Sequence, residues 1–213
     1  MTEDLLERER YYRGMGKVGI CGVDEAGRGP LAGPVVAAGV ILPNVFDCAG
    51  IDDSKKLTHT RREEQYARLI ASAARIGIGI VDSEQIDVEN ILRATYSAMR
   101  LALSQIDEHI EIVLVDGLPI RGLSRHPQEA IVRGDAISAS IAAASIVAKV
   151  TRDRLMVHYD TLYPQYGFAE HKGYSAASHL AALVRFGPCP IHRKSFAPVA
   201  AALKTKPDQG ILL

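Results

Sequence analysis

The amino-acid sequence predicts an α/β fold, a mixed β-sheet flanked by helices. Apolar, β-branched segments come first as a meander within residues 17–42 and then alternate with helical segments. Hydrophobic residues make up 47% of the 213 residues, which is enough to build a substantial core. Since no repeat or linker interrupts the pattern, we predict one domain over residues 1–213, with a small helical part from about residue 160 to 213.

Five strands are predicted from short runs that are rich in apolar, β-branched residues. The first two flank a Gly/Pro-rich stretch, and the third alternates isoleucine with glycine at period two. The fourth is apolar almost throughout, as is typical of a strand buried on both faces, and the fifth is the weakest. The predicted strands cover residues 17–24, 34–42, 75–81, 111–115 and 130–132.

Six helices are predicted from apolar residues at helical spacing, and residues 43–59 are predicted to form a loop. The first helix is charged and amphipathic, and the second begins at a capping box of Thr60 and Glu63. The fourth is rich in alanine, so that Ala142–Ala144 would let it lie very close to the sheet. The predicted helices cover residues 2–13, 60–74, 88–106, 137–159, 176–185 and 197–204.

Composition excludes several classes of protein. The 25 Lys and Arg residues balance 25 Asp and Glu residues, although residues 145–196 are basic, which indicates either a polyanionic partner or a solvated helix face. The three cysteines are too widely spaced for a zinc knuckle or a disulfide framework. No signal peptide and no membrane-spanning run is present, so we expect a cytoplasmic protein without a membrane segment.

Three predicted strands end at a carboxylate. Asp24 follows Val23, Asp116 follows Val115 and, more weakly, Asp135 follows Gly134. Carboxylates at the ends of neighbouring strands converge and repel one another unless a cation lies between them. Together with the adjacent acid Glu25, they suggest a two-metal site for phosphoryl transfer, because Mg²⁺ prefers oxygen ligands. Any one of these strand ends, taken alone, is more simply explained as a turn or a helix cap.

The stretch that follows the first strand raises two further questions. Adjacent side chains on a strand point to opposite faces, so Glu25 can share a metal with Asp24 only if the strand breaks there or if its carbonyl contributes. Gly27 and Gly29 lack a Cβ atom, so their backbone can approach a substrate closely. Such a loop could bind a ribose 2′-OH, cradle a phosphate or simply form a turn.

Five blocks of the sequence resemble ribonuclease HII, the bacterial type 2 ribonuclease H. They are GVDEAGRGPLAGPVVAAGVIL, DDSKKLT, VDGLPI, GDAISASIAAASIVAKVTRDRLM and HKGYSAASHLAALVRFGPCPIHRKSF. The resemblance covers about residues 18 to 199, with the blocks in the family's order. It implies a ribonuclease H-like fold with a C-terminal helical part that binds substrate. It further implies a nuclease with a two-metal Mg²⁺ or Mn²⁺ site, which takes part in ribonucleotide excision repair.

The implied reaction is endonucleolytic. The family cleaves RNA that is hybridised to DNA, or a single ribonucleotide embedded in duplex DNA, on the 5′ side of the ribonucleotide. The products carry 3′-OH and 5′-phosphate ends, and water attacks the phosphorus in line. The resemblance places the metal-binding and catalytic acids of the family on Asp24, Glu25, Asp116 and Asp135.

The resemblance also implies how the substrate is read. The family's GRG motif, which reads the 2′-OH at the RNA–DNA junction, falls on Gly27, Arg28 and Gly29. Its junction-sensing tyrosine, which stacks on the deoxyribose after the ribonucleotide, falls on Tyr174.

Further polar residues in the matching blocks are predicted to contact backbone phosphates. These residues are Ser54, Lys55, Ser145 and Lys149. Lys149 could instead be a solvated helix residue. Asp153 is interpreted as a supporting residue that pairs with Arg152 or Arg154. The histidines His171, His179 and His192 lack metal-ligand spacing and are interpreted as structural or phosphate-facing.

Two positions depart from the family pattern. Ser175–Ala176 follows Tyr174 where Gly or Ala and then Thr are common, and Ile137 stands where many members carry Lys or Arg. Neither departure removes an acid, so we expect activity. The missing cation beside Asp135 predicts weaker substrate binding or a changed metal preference.

Three alternatives to a monomeric nuclease acting on nucleic acid fit the sequence less well. A protein that binds RNA–DNA hybrids without cutting them would require the loss of at least one acid, and all four are present. Ribonuclease HIII would carry an additional N-terminal domain, for which about sixteen residues before the first strand are too few. A nucleotide hydrolase would need the pattern G-x-x-x-x-G-K-[ST], which this sequence lacks.

Overall fold

A five-stranded mixed sheet forms the centre of the computed structural model, which describes residues 5–51, 54 and 57–205. The strand order is β3-β2-β1-β4-β5. The first three strands form an antiparallel meander, and β4 and β5 extend the sheet parallel to β1. The strands are β1 Ile20–Ala26, β2 Val35–Ile41, β3 Arg75–Val81, β4 Ile112–Asp116 and β5 Gln128–Ile131.

Helices cover both faces of this sheet and form the C-terminal part of the fold, so the predicted fold class is confirmed. Short 3₁₀ turns lie at Asp107–His109, Gly134–Ala136 and Pro164–Tyr166. The helices are α1 Glu7–Gly14, α2 His59–Ala71, α3 Ser83–Glu89, α4 Ile91–Ser104, α5 Ala139–Leu162, α6 Phe168–His171, α7 Ala177–Phe186 and α8 Ala197–Thr205. None of the helices in the described part of the chain combines the length and the apolar character needed to span a bilayer.

Small residues let the two central helices lie directly on the sheet. A Cβ atom at Gly22 in β1 would overlap the backbone of Ser140 in α5, and one at Gly79 in β3 would overlap the backbone of Ala98 in α4. Ala142–Ala144 of α5 are fully buried in one cluster with residues of β2, as predicted from their small size. The close approach of α5 brings the residues along its first turns to the ends of β1 and β4.

Two helix predictions were wrong, and in both cases a capping residue decides the boundary. Thr58, not Thr60, caps α2, because its hydroxyl accepts a hydrogen bond from the Arg61 amide at 3.3 Å. The single helix predicted over residues 88–106 is two helices, α3 and α4. The chain turns at Asn90, whose φ of 69° ends α3 and whose side chain caps α4.

The C-terminal helical part packs on the distal end of α5 and on the loop between β1 and β2. Ala32 from this loop is fully buried with Met156 and Phe168. The Leu31 amide donates to the Gly173 carbonyl at 2.8 Å, and further backbone bonds tie the loop to residues 191 and 193. The β1–β2 loop is therefore held on both sides by C-terminal segments.

Candidate active site

Three carboxylates from separate segments converge at the carboxyl edge of the sheet. Asp24 lies near the end of β1, Asp116 is the last residue of β4, and Asp135 lies in the 3₁₀ turn before α5. Each offers a carboxylate oxygen, and these oxygens lie within 4.8 Å of one another. Asp24 and Asp135 are only 4% and 5% exposed. The three aspartates singled out in the sequence thus meet in space, although Asp135 lies in the turn after β5 and not at a strand end.

Glu25 lies beside this group but not within it. The strand does not break at Glu25, as one of the two alternatives required, because β1 continues to Ala26 and pairs Glu25 with Ala37. Its carboxylate lies 3.2 Å from the Arg28 guanidinium, at the same cleft as Asp24. The alternation of side chains along a strand explains this separation.

The buried acids form an electrostatically unfavourable cluster. Burial, which has the largest effect, and the charges of Glu25 and Asp116 together raise the pKa of Asp24 to about 8. Hydrogen bonds from the Ser145 side chain and from the Glu25 amide, which lies 2.7 Å from Asp24 Oδ1, oppose this shift only in part. Clustered hard oxygen donors of this kind fit a divalent cation, which would remove the repulsion.

The glycine loop, residues 27–29, and Tyr174 line the same cleft as Asp24, Glu25 and Asp116. Gly27 has a φ of 95°, and a Cβ atom there would overlap the Arg152 side chain. A Cβ atom at Gly29 would meet only the Tyr174 ring, at 3.6 Å from its Cε1 atom. Tyr174 itself is 47% exposed, so its ring is available for stacking on a bound molecule.

Arg193, which sequence reasoning did not single out, stabilises the glycine loop through hydrogen bonds to its backbone. It is fully buried, and its guanidinium donates to the carbonyls of Gly27 at 2.5 Å, Arg28 at 2.9 Å and Gly33 at 3.0 Å. Burial lowers the pKa of Arg193 to about 9, so it stays a cation at neutral pH. An arginine in a polar tail segment gives no local signal of burial, which arises only from tertiary packing.

Arg152, also missed, joins the glycine loop to the segment that carries Tyr174. Its guanidinium donates to the Ala32 carbonyl at 3.1 Å, the Pro34 carbonyl at 3.0 Å and the Lys172 carbonyl at 3.0 Å. It also lies under the Tyr174 ring, 6.0 Å from the centroid. Burial lowers the pKa of Arg152 to about 10, which leaves it charged at neutral pH.

The residues predicted to contact phosphates lie at the cleft where the structure describes them. Ser54 and Ser145 are buried and hydrogen-bonded to each other at 2.8 Å between their hydroxyl oxygens. Lys149 is not a solvated helix residue, since it donates to Asp153 at 2.6 Å and burial lowers its pKa. All three line the cleft, whereas Lys55 lies outside the described residues.

The partners predicted for Asp153 were wrong. Arg152 is occupied by backbone carbonyls, and Arg154 pairs with Glu63 at 2.6 Å. Asp153 instead pairs with Lys149 and lies 3.8 Å from Arg62. Arg62 in turn donates to the Ser54 carbonyl at 2.8 Å, so these groups link α2 and α5 to the loop that carries Ser54.

Comparisons with known proteins identify relatives of the whole cleft-bearing region. The sequence matches the family model described as Ribonuclease HII over residues 21–199. A ribonuclease HII of Geotalea uraniireducens is 51% identical over 202 residues, which cover 95% of this chain and 93% of that relative. One of Geobacter sulfurreducens is 55% identical over 185 residues, with 84% of this chain and 82% of the relative covered. The crystal structure of the ribonuclease H2 from Pyrococcus horikoshii superimposes with a TM-score of 0.74 at 27% identity, covering 87% of this chain and 97% of that one.

Proposed function

The chain belongs to the ribonuclease HII family, the endoribonucleases H that act on RNA–DNA hybrids, and from this premise we propose the reaction that its cleft carries out. It cuts on the 5′ side of a ribonucleotide, both in long hybrids and at a single ribonucleotide in duplex DNA. The products carry 3′-OH and 5′-phosphate ends. The observation that supports this proposal is one cleft in which Asp24 and Asp116, which converge with Asp135, lie beside the glycine loop and an exposed tyrosine.

The acids supply the metal site in this proposal. Asp24, Asp116 and Asp135, with Glu25 beside them, would hold Mg²⁺ or Mn²⁺, because their oxygens are hard ligands held close together. When bound, two such ions would supply Lewis-acid stabilisation of the charge that develops on the phosphate being cut. Asp24 must give up its proton to serve as a ligand, and the hydrogen bond from Ser145 favours that charged form.

The glycine loop supplies recognition of the ribose. The buried Arg193 guanidinium donates hydrogen bonds to the carbonyls of Gly27 and Arg28, so these carbonyls point toward the protein interior. Since each peptide unit is planar and trans, the amide N–H of the following residue points in the opposite direction. The amides of Arg28 and Gly29 therefore point away from Arg193, where a 2′-OH oxygen can accept from them. DNA has no such oxygen, so the loop distinguishes the two sugars.

Tyr174 and the cationic residues complete the proposed binding surface. The exposed Tyr174 ring lies against Gly29, where it can stack on the sugar that follows the ribonucleotide. Lys149, which lines the cleft with Ser54 and Ser145, would hold a neighbouring backbone phosphate. In this proposal the protein acts as a monomeric single domain whose part from about residue 160 contributes Tyr174.

The alternative is a protein that binds hybrids without cutting them. One experiment separates the two: incubation with a DNA duplex that carries one ribonucleotide, in Mg²⁺ and then in Mn²⁺, beside the all-DNA duplex. We expect a single cut 5′ to the ribonucleotide, none in the all-DNA duplex, and none with Asp116→Asn. Cleavage of a long hybrid alone would remove the recognition role of Gly27–Gly29 and Tyr174. Binding without cleavage of either substrate would favour the alternative.

A further inference from the structure

A buried chain of hydrogen bonds ends at the backbone of Tyr174. His179 in α7 and His192 in the segment after α7 are 0% and 1% exposed. His179 Nδ1 lies 2.7 Å from the Tyr174 carbonyl oxygen, and the Nε2 atoms of the two histidines lie 3.0 Å apart. The Cys189 amide donates to His192 Nδ1 at 3.0 Å, which closes the other end of the chain.

These contacts fix where each proton lies. His192 Nδ1 accepts from the Cys189 amide, so the proton of a neutral His192 is on Nε2 and is donated to His179 Nε2. His179 therefore carries its proton on Nδ1 and donates it to the Tyr174 carbonyl, which can only accept. Both imidazoles are neutral in this arrangement, since a second proton on either ring would place two N–H groups against each other.

The two histidines are also connected to the glycine loop, through the backbone of His192. His192 forms an isolated β-bridge with Ala32, which belongs to the β1–β2 loop. The next residue, Arg193, holds the carbonyls of Gly27 and Arg28. The hydrogen bond between the two imidazoles thus joins the backbone that carries Tyr174 to the backbone that carries the glycine loop.

Tyr174 depends on this backbone anchor more than on its own side chain. Its ring is 47% exposed and lies 6.0 Å from the Arg152 guanidinium, so few contacts hold it in place. Its carbonyl, by contrast, accepts hydrogen bonds from both His179 and the Ala176 amide at 2.8 Å. A small shift of this carbonyl would move the ring relative to Gly29.

We propose that His179 and His192 are positioning residues that set the spacing between Tyr174 and the Gly27–Gly29 loop, and thereby the rate of cleavage at a single embedded ribonucleotide relative to that in a long hybrid. This inference rests on the proposed function. A long hybrid offers a ribose at every position, so many registers can be cut. A single ribonucleotide offers only one ribose followed by a deoxyribose, and the glycine loop and Tyr174 must contact these two sugars at the same time. The distance between the loop and Tyr174 therefore determines the rate.

Two substitutions at His179 separate positioning from simple core packing. His179→Asn keeps a donor near the Nδ1 position and so preserves the bond to Tyr174, although it loses the bond to His192. His179→Gln places its amide near Nε2 and loses the bond to Tyr174. We measure kcat/KM on the single-ribonucleotide duplex and on a long hybrid. We expect the ratio of kcat/KM on the single-ribonucleotide duplex to kcat/KM on the long hybrid to fall about tenfold in His179→Gln, as for loss of one buried hydrogen bond. In His179→Asn the same ratio should fall about threefold or less. His158→Gln, an exposed histidine in α5, is the matched control and leaves the ratio unchanged.

A second measurement does not depend on activity. The chain contains no tryptophan, so Tyr174→Trp places a single tryptophan at the cleft, whose emission can be excited selectively over that of the tyrosines. Adding His179→Gln to this background should raise quenching of the emission by acrylamide, while adding His179→Asn or His158→Gln should leave it unchanged.

The outcomes distinguish this inference from the proposed function. If the wild-type protein fails to cut the single-ribonucleotide duplex, the proposed function falls and the claim about relative cleavage rates falls with it. If the wild type cuts it, but His179→Gln slows both substrates equally and leaves quenching unchanged, only the positioning role is overturned. A selective loss in His179→Gln that His179→Asn largely restores, with the change in quenching, supports it.

Discussion

Asp24 and Asp116 occupy equivalent positions at the ends of two adjacent parallel strands. The register pairs Val23 of β1 with Val115 of β4, and each aspartate is the next residue after its paired valine. Side chains at the same step of neighbouring strands point to the same face of the sheet. This relationship brings two negative charges together at the edge of the core, and the third, Asp135, is added by the turn that leads into α5.

The raised pKa of Asp24 predicts a dependence of stability on pH in metal-free protein. Its pKa in the folded state, about 8, lies above its ordinary value of 3.8, so the folded protein holds a proton that the unfolded chain has lost. The free energy of unfolding should therefore fall as pH rises from about 4 to about 8, by at most about 1.4 kcal/mol per pH unit. Urea unfolding in EDTA at pH 6, 7 and 8 measures this.

Asp24→Asn is the control for that dependence. It removes the titrating group, so its unfolding free energy should decline less steeply over the same range. His179 and His192, whose pKa values burial lowers, act in the opposite direction below pH 6.5 and are unchanged in both proteins. Parallel pH profiles for the wild type and the variant would contradict the assignment of the shift to Asp24.

Divalent ions should stabilise the folded protein, because they relieve the repulsion among the acids. A ligand at a hundred times its Kd stabilises by about 2.7 kcal/mol, which is a rise of several degrees in Tm for a domain of this size. Thermal unfolding in Mg²⁺, Mn²⁺ and EDTA should show this rise in the wild type and less than half of it in Asp116→Asn. Glu64→Gln, at an exposed position in α2, should keep the full rise. An equal rise in all three proteins would place the ions elsewhere.

Local sequence patterns predicted the elements that depend on one segment at a time. The isoleucine–glycine alternation predicted β3 with the bounds that the structure shows, Arg75–Val81. The carboxylates at the ends of predicted strands indicated which acids meet. Groups that act across the fold gave no such signal. The first helix had no predicted role, yet its buried Glu9 accepts hydrogen bonds from Ser138 and Ser140 at the start of α5, close after Asp135. The burial of Arg152 and Arg193 likewise results from packing between distant segments.

Ile137 is another residue whose packing could not be predicted from the sequence, at a position where the family pattern indicated a lost cation. The side chain packs on a cluster of buried apolar residues beneath the sheet edge. A single sequence shows that the charge is missing, but only the fold shows that an apolar contact stands in its place. Its consequence for substrate affinity stays a prediction.

Gly27 and Gly29 should respond differently to the same substitution. Gly27→Ala places a Cβ atom against Arg152 and 2.8 Å from the Pro34 carbonyl, at a φ of 95° that disfavours alanine. We expect a loss of about 2–4 kcal/mol in unfolding free energy, measured in urea. Gly29→Ala meets only the Tyr174 ring at contact distance, so its stability should stay within about 0.5 kcal/mol of the wild type.

Gly29→Ala should nevertheless impair cleavage. The added methyl group occupies the cleft beside Tyr174, where the proposed sugar contact requires close approach of the backbone. A fall of about tenfold or more in kcat/KM on the single-ribonucleotide duplex is expected from a misplaced substrate. Full activity in a stable Gly29→Ala protein would argue against recognition through this loop.

Arg193 should stabilise the glycine loop through the shape of its side chain and not through charge alone. The guanidinium reaches three carbonyls at once, at 2.5, 2.9 and 3.0 Å. A lysine keeps the charge but is a compact ammonium that cannot reproduce this fork. Arg193→Lys should therefore leave at least one buried carbonyl without a donor, at a cost of about 1–3 kcal/mol per carbonyl in unfolding free energy.

The same substitution tests whether the loop must be rigid for cleavage. Arg61→Lys, at an exposed position in α2, makes the same chemical change without touching the loop and should leave both stability and activity unaltered. Arg193→Lys should lower kcat/KM on the single-ribonucleotide duplex even at a temperature where urea titration shows the variant fully folded. The amides of Arg28 and Gly29 would then no longer be held in one direction, because the carbonyls of their peptide units have lost their fixed partner. Normal kinetics in a folded Arg193→Lys protein would show that the loop keeps its geometry without the buried fork.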